Sequence, residues 1–326
     1  MTNKIRWGIA ATGGIARSFT EALGRVPDAE VVAVASRTQA RASEFAAEWS
    51  IPHAHGSYDA LAADDDVDIV YVATPHSLHC EDAVRYLEAG KHVLCEKPLA
   101  LSAAQVRTMA DAAQRNHRFL MEALWSRFLP SYQALTQTID DGAIGDLRLV
   151  EADFGFRAPF DPEHRLFDPA QGGGALLDLG IYPLHIAFTL LGHPVDVQAV
   201  AELGATGVDE QVAMVLRHEH GTLSVLKAAC STSMTCTARV AGTAGHIDVP
   251  AFMHCPDHFV VNTMAGQQRV DAPLEGNGLH YQVHEVHHCL RAGLTESPVM
   301  PLSESLALAT TMDQIRAQVG VRYPGE

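Results

Sequence analysis

Four short apolar runs in the first third of the chain each stop at a cluster of polar residues, glycines or proline. Residues 5–10 end at Ala11-Thr12-Gly13-Gly14, and residues 31–35 at Ser36-Arg37. Residues 67–73 end at Thr74-Pro75-His76, and Lys91-His92-Val93-Leu94-Cys95 at Glu96-Lys97-Pro98. Helical stretches lie between and after them, to about Leu23, over 81–89 and over 102–116. Alternating strands and helices imply right-handed crossovers and a parallel sheet covered on both faces. Open sheets of this kind bind ligands outside the carboxyl ends of their strands, where these clusters lie. The constraint is tightest at Glu96-Lys97-Pro98. Proline denies the ladder a donor, X-Pro bonds are where cis peptides occur, and a lysine at a strand's end points into the crevice. Strand 119–121 completes an α/β domain expected over residues 1–122.

The first strand end resembles the dinucleotide fingerprint G-x-G-x-x-G/A, with Ala11 in the first glycine's place and Ala16 in the third's. Gly13 keeps the middle position, where backbone must approach a pyrophosphate, and the following helix offers free N–H groups to it. The second strand end lacks the acid that usually bonds a ribose 2′-hydroxyl. Ser36, Arg37 and Arg41 stand there instead, and arginine is a good bidentate partner for a 2′-phosphate. The expected cofactor is therefore NADP.

The second half, 123–326, changes character. A helix over 131–139 leads to an alternating strand over 147–156. From about Val195 to Val270, alternating runs such as 211–216 and 221–225 are separated by turns such as Gly242-Thr243-Ala244-Gly245. That is a mostly antiparallel open sheet, so this half is an α+β domain. Within it, Gly172-Gly173-Gly174 opens a helix carrying Asp178 and Tyr182, four apart and hence on one face. A tyrosine and an aspartate facing a cleft beside a lysine form a proton-transfer set, and the glycines imply a close approach to something.

Composition excludes several classes. At a net charge of -16 the surface repels nucleic acid and anionic membranes. No uninterrupted apolar run approaches transmembrane length, and the N-terminus lacks the apolar region of a signal peptide. Six cysteines without C-x-x-C spacing are expected as free thiols in a reducing cytoplasm.

Lys4-Ile5-Arg6-Trp7-Gly8-Ile9, Glu96-Lys97-Pro98 and the 172–182 helix resemble the glucose-fructose oxidoreductase / inositol dehydrogenase (Gfo/Idh/MocA) family. Residues 119–128, Gly145-Asp146-Leu147-Arg148 and residues 296–302 are most similar to one branch. That branch is the NADP-dependent trans-1,2-dihydrobenzene-1,2-diol dehydrogenases, also described as D-xylose 1-dehydrogenases. The resemblance spans essentially the whole chain. It implies Lys97 near nicotinamide and substrate, Tyr182 as general acid/base and Asp178 as the helix aspartate. It implies 2′-phosphate contacts at Arg37 and Arg41, and a substrate pocket with His76, Trp125 and Phe154. The expected cofactor contacts are Ala11, Thr12, Gly13, Gly14, Ile15, Ser36, Arg37, Arg41, Thr74, Pro75, His79, Glu96 and Lys97. His254, also expected at the substrate, departs from the branch's mammalian members, which carry an aromatic there. The substrate expected is a small sugar, polyol or cyclic diol. Such families commonly pair subunits through the second sheet. A homodimer or dimer of dimers is expected, with Val212, Met214, Leu216, Leu223 and Val225 as its apolar face.

Two rival functions remain. His284-Glu285-Val286-His287-His288 fits H-E-x-x-H, a zinc-hydrolase signature. Among 18 histidines a chance match is expected, no third ligand is evident, and the expectation is no catalytic metal. A non-catalytic NADP sensor is the other, and Lys97, Asp178 and Tyr182 together argue against it.

Overall fold

The structure, a computed structural model, describes residues 4–325. The first stretch alternates as the apolar runs require. Its elements are β1 (Ile5–Ala10), α1 (Gly14–Leu23), β2 (Ala29–Ala35), α2 (Gln39–Trp49), β3 (His53–His55) and α3 (Tyr58–Ala62). They continue as β4 (Ile69–Val72), α4 (His79–Glu88), β5 (His92–Glu96), α5 (Ala103–Asn116) and β6 (Leu120–Ala123). After α6 (Pro130–Asp140) and β7 (Leu147–Gly155), a π-helical turn at Leu176–Gly180 runs into α7 (Ile181–Leu191). There follow β8 (Pro194–Leu203), β9 (Asp209–His218), β10 (Leu223–Ala229), β11 (Ala238–Gly242), β12 (Gly245–Val249), β13 (His258–Thr263) and β14 (Gly266–Asp271). Helices α8 (His280–Arg291) and α9 (Leu302–Val319) close the chain.

The chain forms two compact units. One runs up to Trp125 and takes back Gly276–Leu306; the other comprises Ser126–Glu275 and the chain from Ala307 on. This corrects the continuous division at residue 122. Long-range contacts return α8 and its flanks to the first unit. Trp7 Nε1 donates to His287 Nε2 at 3.1 Å, Asn277 Nδ2 to the Ser18 carbonyl at 2.8 Å, and the Leu120 amide to the Thr295 carbonyl at 3.1 Å. Arg291 also pairs with Asp28.

The first unit holds a six-stranded sheet in the order β3-β2-β1-β4-β5-β6, parallel in every pairing. Every residue of β4 and β6 is buried, as expected of strands covered on both faces. Trp7 and Tyr71 pack on Phe19 of α1, with ring centroids 5.5 and 3.7 Å away. This is the expected dinucleotide-binding architecture, with its strand ends free to form a site.

The second unit holds an eight-stranded sheet in the order β14-β13-β12-β11-β7-β10-β9-β8. It is antiparallel except where β10 pairs with β7. The π-helical turn and α7 pack on it, and Val212, Met214, Leu216 and Leu226 are buried. The expected apolar outer face is therefore corrected. Leu223 pairs with Arg217 and Val225 with Val215, so they share a face opposite to Met214 and Leu216. The outer face carries Val200, Val215 and Leu223, exposed by 72%, 46% and 40%. Residues Pro169–Leu191, interrupted by Asp178 and His185, are on average long and apolar enough to cross a membrane, but 83% of that window is buried inside the structure, as in a core helix.

Candidate active site

In the first unit, the β1–α1 turn is built for close approach. Ala11 takes φ 95°, the left-handed region that a glycine in its place would enter freely. Gly13 precedes α1 without any side-chain cap, and a Cβ on Gly13 or Gly14 would meet no atom within 4 Å. Thr12 is half-buried, and Ile15 is 38% exposed. Uncapped amides at a helix N-terminus with open space before them suit a pyrophosphate. At the end of β2, Ser36 is buried and its amide donates to the His55 carbonyl at 3.1 Å. Arg37 and Arg41 are exposed, and among the described residues neither is ion-paired. Two unengaged guanidinium groups fit a 2′-phosphate in a protein of net charge -16.

The ends of β4 and β5 are locked together by His79. Its ring is fully buried, with Nδ1 2.9 Å from the Pro98 carbonyl and Nε2 2.9 Å from the Thr74 carbonyl. Both ring nitrogens thus face backbone carbonyls, and the ring ties the two loops together. Thr74 Oγ1 donates to Asp82 at 2.8 Å, and Pro75 and half-buried His76 follow in a short 3₁₀ turn. Glu96 is buried and accepts from the Tyr71 hydroxyl. The Lys97-Pro98 bond is cis and Lys97 is half-buried. The Leu99 amide donates to Glu122 Oε1 at 2.8 Å, and burial pushes the Glu122 carboxyl up to about 7. Trp125 is half-buried in the 3₁₀ turn that begins at it.

In the second unit, three expected substrate residues meet. The rings of Phe154 and Tyr182 lie 5.3 Å apart, Phe154 and His254 4.6 Å, and Tyr182 and His254 4.8 Å. Phe154 and Tyr182 are buried, and His254 is half-buried. The loop bearing His254 is fixed by Ser126 Oγ, which donates to the His254 carbonyl at 2.6 Å. The Tyr132 hydroxyl donates to the Met253 carbonyl at 3.1 Å. Asp178 is buried and held by Arg165 in a two-pronged pair of 2.9 and 3.2 Å.

The triple glycine does approach something, and it is the chain itself. A Cβ on Gly173 would lie 2.9 Å from three carbonyl oxygens, and one on Gly174, at φ 115°, 2.2 Å from Asp209 Oδ1. Asp209 accepts the Leu176 amide at 2.6 Å, and burial pushes its carboxyl up to about 7.

Arg165, Asp209, Ser126 and Tyr132 carried no sequence signal. Glu122 did: an acid inside the apolar run Phe119-Leu120-Met121-Glu122-Ala123-Leu124 is expensive to bury without a purpose. His185, one turn beyond Tyr182, is fully buried and stacked on Tyr132 at 5.6 Å, with its pKa well below the ordinary value through burial. In the H-E-x-x-H segment, His284 and His288 are exposed, while Glu285 accepts from Ser297 Oγ at 2.5 Å. His287 is committed to Trp7, so the segment reads as a docking helix.

Residues 5–124 match the oxidoreductase family described by its NAD-binding Rossmann fold, GFO/IDH/MocA, and residues 132–248 match a GFO/IDH/MocA C-terminal domain. The chain is 40% identical to trans-1,2-dihydrobenzene-1,2-diol dehydrogenase of Mus musculus, over 98% of this chain and 98% of that protein. The protein of the same name in Homo sapiens is 39% identical, with the same coverage. Among solved structures, aldose-aldose oxidoreductase from Caulobacter crescentus, complexed with glycerol, superposes with a TM-score of 0.89. The sequences are 27% identical over 98% of each chain. The 3-ketoreductase from Actinomadura kijaniata, complexed with NADP and TDP-benzene, gives 0.88 at 28% identity, covering 97% of this chain and 98% of that one.

Proposed function

We propose, because this chain belongs to the GFO/IDH/MocA oxidoreductase family, that it interconverts a hydroxyl and a carbonyl on a sugar, cyclic polyol or dihydrodiol with NADP as coenzyme. It is a nicotinamide-dependent oxidoreductase acting on CH–OH groups. The choice of NADP over NAD is carried by one observation: Arg37 and Arg41 stand exposed and without ion pairs at the end of β2, beside the uncapped start of α1.

When bound, the nicotinamide supplies the hydride chemistry. Tyr182 moves the proton, losing it as an alcohol is oxidised and returning it as a carbonyl is reduced. A free tyrosine ionises near about 10, too high for a good base at neutrality. In this proposal Lys97 has the part of assisting the transfer, since a positive charge favours a tyrosinate. Phe154 and His254 fix the Tyr182 ring, which leaves the hydroxyl little orientational freedom to lose. Asp178, gripped through both carboxylate oxygens by Arg165, belongs to the same proton-transfer set, one turn before Tyr182. Phe154 offers an aromatic face to the substrate ring, and the family resemblance also assigns substrate contacts to His76 and Trp125. The six thiols, all unpaired in the described residues, suit a reducing cytoplasm.

The test is a panel of aldoses including D-xylose, cyclic polyols and dihydrodiols, each with NADP and with NAD, followed through the absorbance of the reduced nicotinamide. The same protein titrated by fluorescence is expected to bind NADPH more tightly than NADH. Arg37→Ala should narrow that gap. Equal affinities in the wild type, or a variant that keeps its preference, would contradict the 2′-phosphate assignment.

A further inference from the structure

The side chains of His53 and His55, two apart on edge strand β3, leave one face of the sheet together. Both converge on a single carboxylate oxygen in the loop after α3. His53 Nδ1 and His55 Nε2 each lie 2.8 Å from Asp64 Oδ2, and the three donor atoms all fall within 4.8 Å of one another. The other oxygen, Oδ1, accepts the Asp66 amide at 2.9 Å, and the Asp64 carbonyl accepts from Lys91 Nζ at 2.6 Å. The loop that presents Asp64 is therefore braced from two sides. Asp64 is shielded at 7% side-chain exposure, while His53 and His55 keep 38% and 23%. A route for an ion from solvent exists, and the histidines have room to adjust.

We propose that His53, His55 and Asp64 form a binding site for a divalent transition-metal ion of the zinc class, clipping edge strand β3 to the loop before β4. Two imidazoles and a carboxylate are borderline nitrogen and oxygen ligands, which favour zinc, cobalt, nickel or copper over magnesium or calcium. Zinc bonds to such atoms are about 2.0–2.2 Å, so ligands around it lie roughly 3.4 Å apart. Opening the two 2.8 Å contacts by about half an ångström, through rotation of half-exposed side chains, would seat the ion. Water would complete the coordination. The site is separate from the H-E-x-x-H helix and from the hydride chemistry. It does touch the coenzyme region indirectly, because the His55 carbonyl holds the Ser36 amide.

The experiment is calorimetric titration of the chelator-stripped full chain with Zn²⁺, paired with melting curves. One equivalent should bind with a dissociation constant of about 10 μM or tighter, and bound zinc should raise the melting temperature. His53→Ala and Asp64→Asn should each weaken binding by about tenfold or more, while His284→Ala leaves it unchanged. Co²⁺ titrated into the wild type needs no variant, and should give the visible absorption of a four-coordinate site that Zn²⁺ abolishes. Wild-type zinc binding no tighter than about 1 mM would overturn the proposal. So would tight binding that His284→Ala removes and His53→Ala spares.

Discussion

Ala11 concentrates the residue-scale lesson. The sequence places alanine where a fingerprint glycine belongs, and the turn forms anyway, with Ala11 at φ 95°. Left-handed backbone costs an L-residue roughly 1–2 kcal/mol, partly offset by the greater entropy glycine has to lose on folding. Ala11→Gly is therefore expected to stabilise the protein by about 0.5–1 kcal/mol, seen as a higher urea midpoint with an unchanged slope. A lower midpoint would show that the turn is not strained. Where to look for candidate residues was legible at this scale, because strand ends announce themselves by a change of composition. Phe154, Tyr182 and His254 do come together. What holds them was not legible. Arg165 sits in a polar loop like any other, and the Asp209 carboxylate behind Gly174 lies 35 residues on, as 209 − 174 gives. Such partners are chosen by three-dimensional proximity and leave no local pattern.

At the scale of elements, the strand-end loops are tied by buried polar groups. His79 joins the ends of β4 and β5, and Glu122 of β6 accepts the amide of Leu99 just past the cis-proline. Burial is the main cause of the raised Glu122 pKa, about 7 against an ordinary 4.5. A raised carboxyl pKa makes the charged form the costly one in the folded state. The stability this group allows is complete below about 4.5 and is lost as pH rises toward and through 7. Glu122→Gln keeps an oxygen for Leu99 and cannot ionise. Urea unfolding at pH 5 and pH 8 should show the variant gaining on the wild type by about 2 kcal/mol between the two. A constant difference would mean that Glu122 is ionised at both. The alternation of strands and helices was readable because period and length are local properties. The parity of the second sheet was not fully read, since which face of a strand is covered depends on pairings such as Leu223 with Arg217.

For the whole molecule, the separations in sequence become longest and the sequence says least. The return of residues 276–306 to the first unit rests on contacts such as Trp7 with His287, 280 positions apart. The exposed valines and leucine on the outer face of the second sheet, Val200, Val215 and Leu223, are the surface through which we expect two copies to pair. Light scattering at micromolar concentration should report a dimer or tetramer, and Val215→Lys should shift it toward monomer without loss of fold. A monomeric wild type would remove this expectation.

That Tyr182 carries the proton with the help of Lys97 is the central proposal. It is tested most directly by pH profiles of kcat for alcohol oxidation in Tyr182→Phe, Lys97→Met and the double variant. Tyr182→Phe should lower kcat by about 10²–10⁴-fold. Lys97→Met should lower it strongly and move the alkaline-going rise to higher pH. The double variant should be little worse than the worse single one, because the two residues act as a unit. Near-normal oxidation by Tyr182→Phe, with an unshifted profile, would contradict the account.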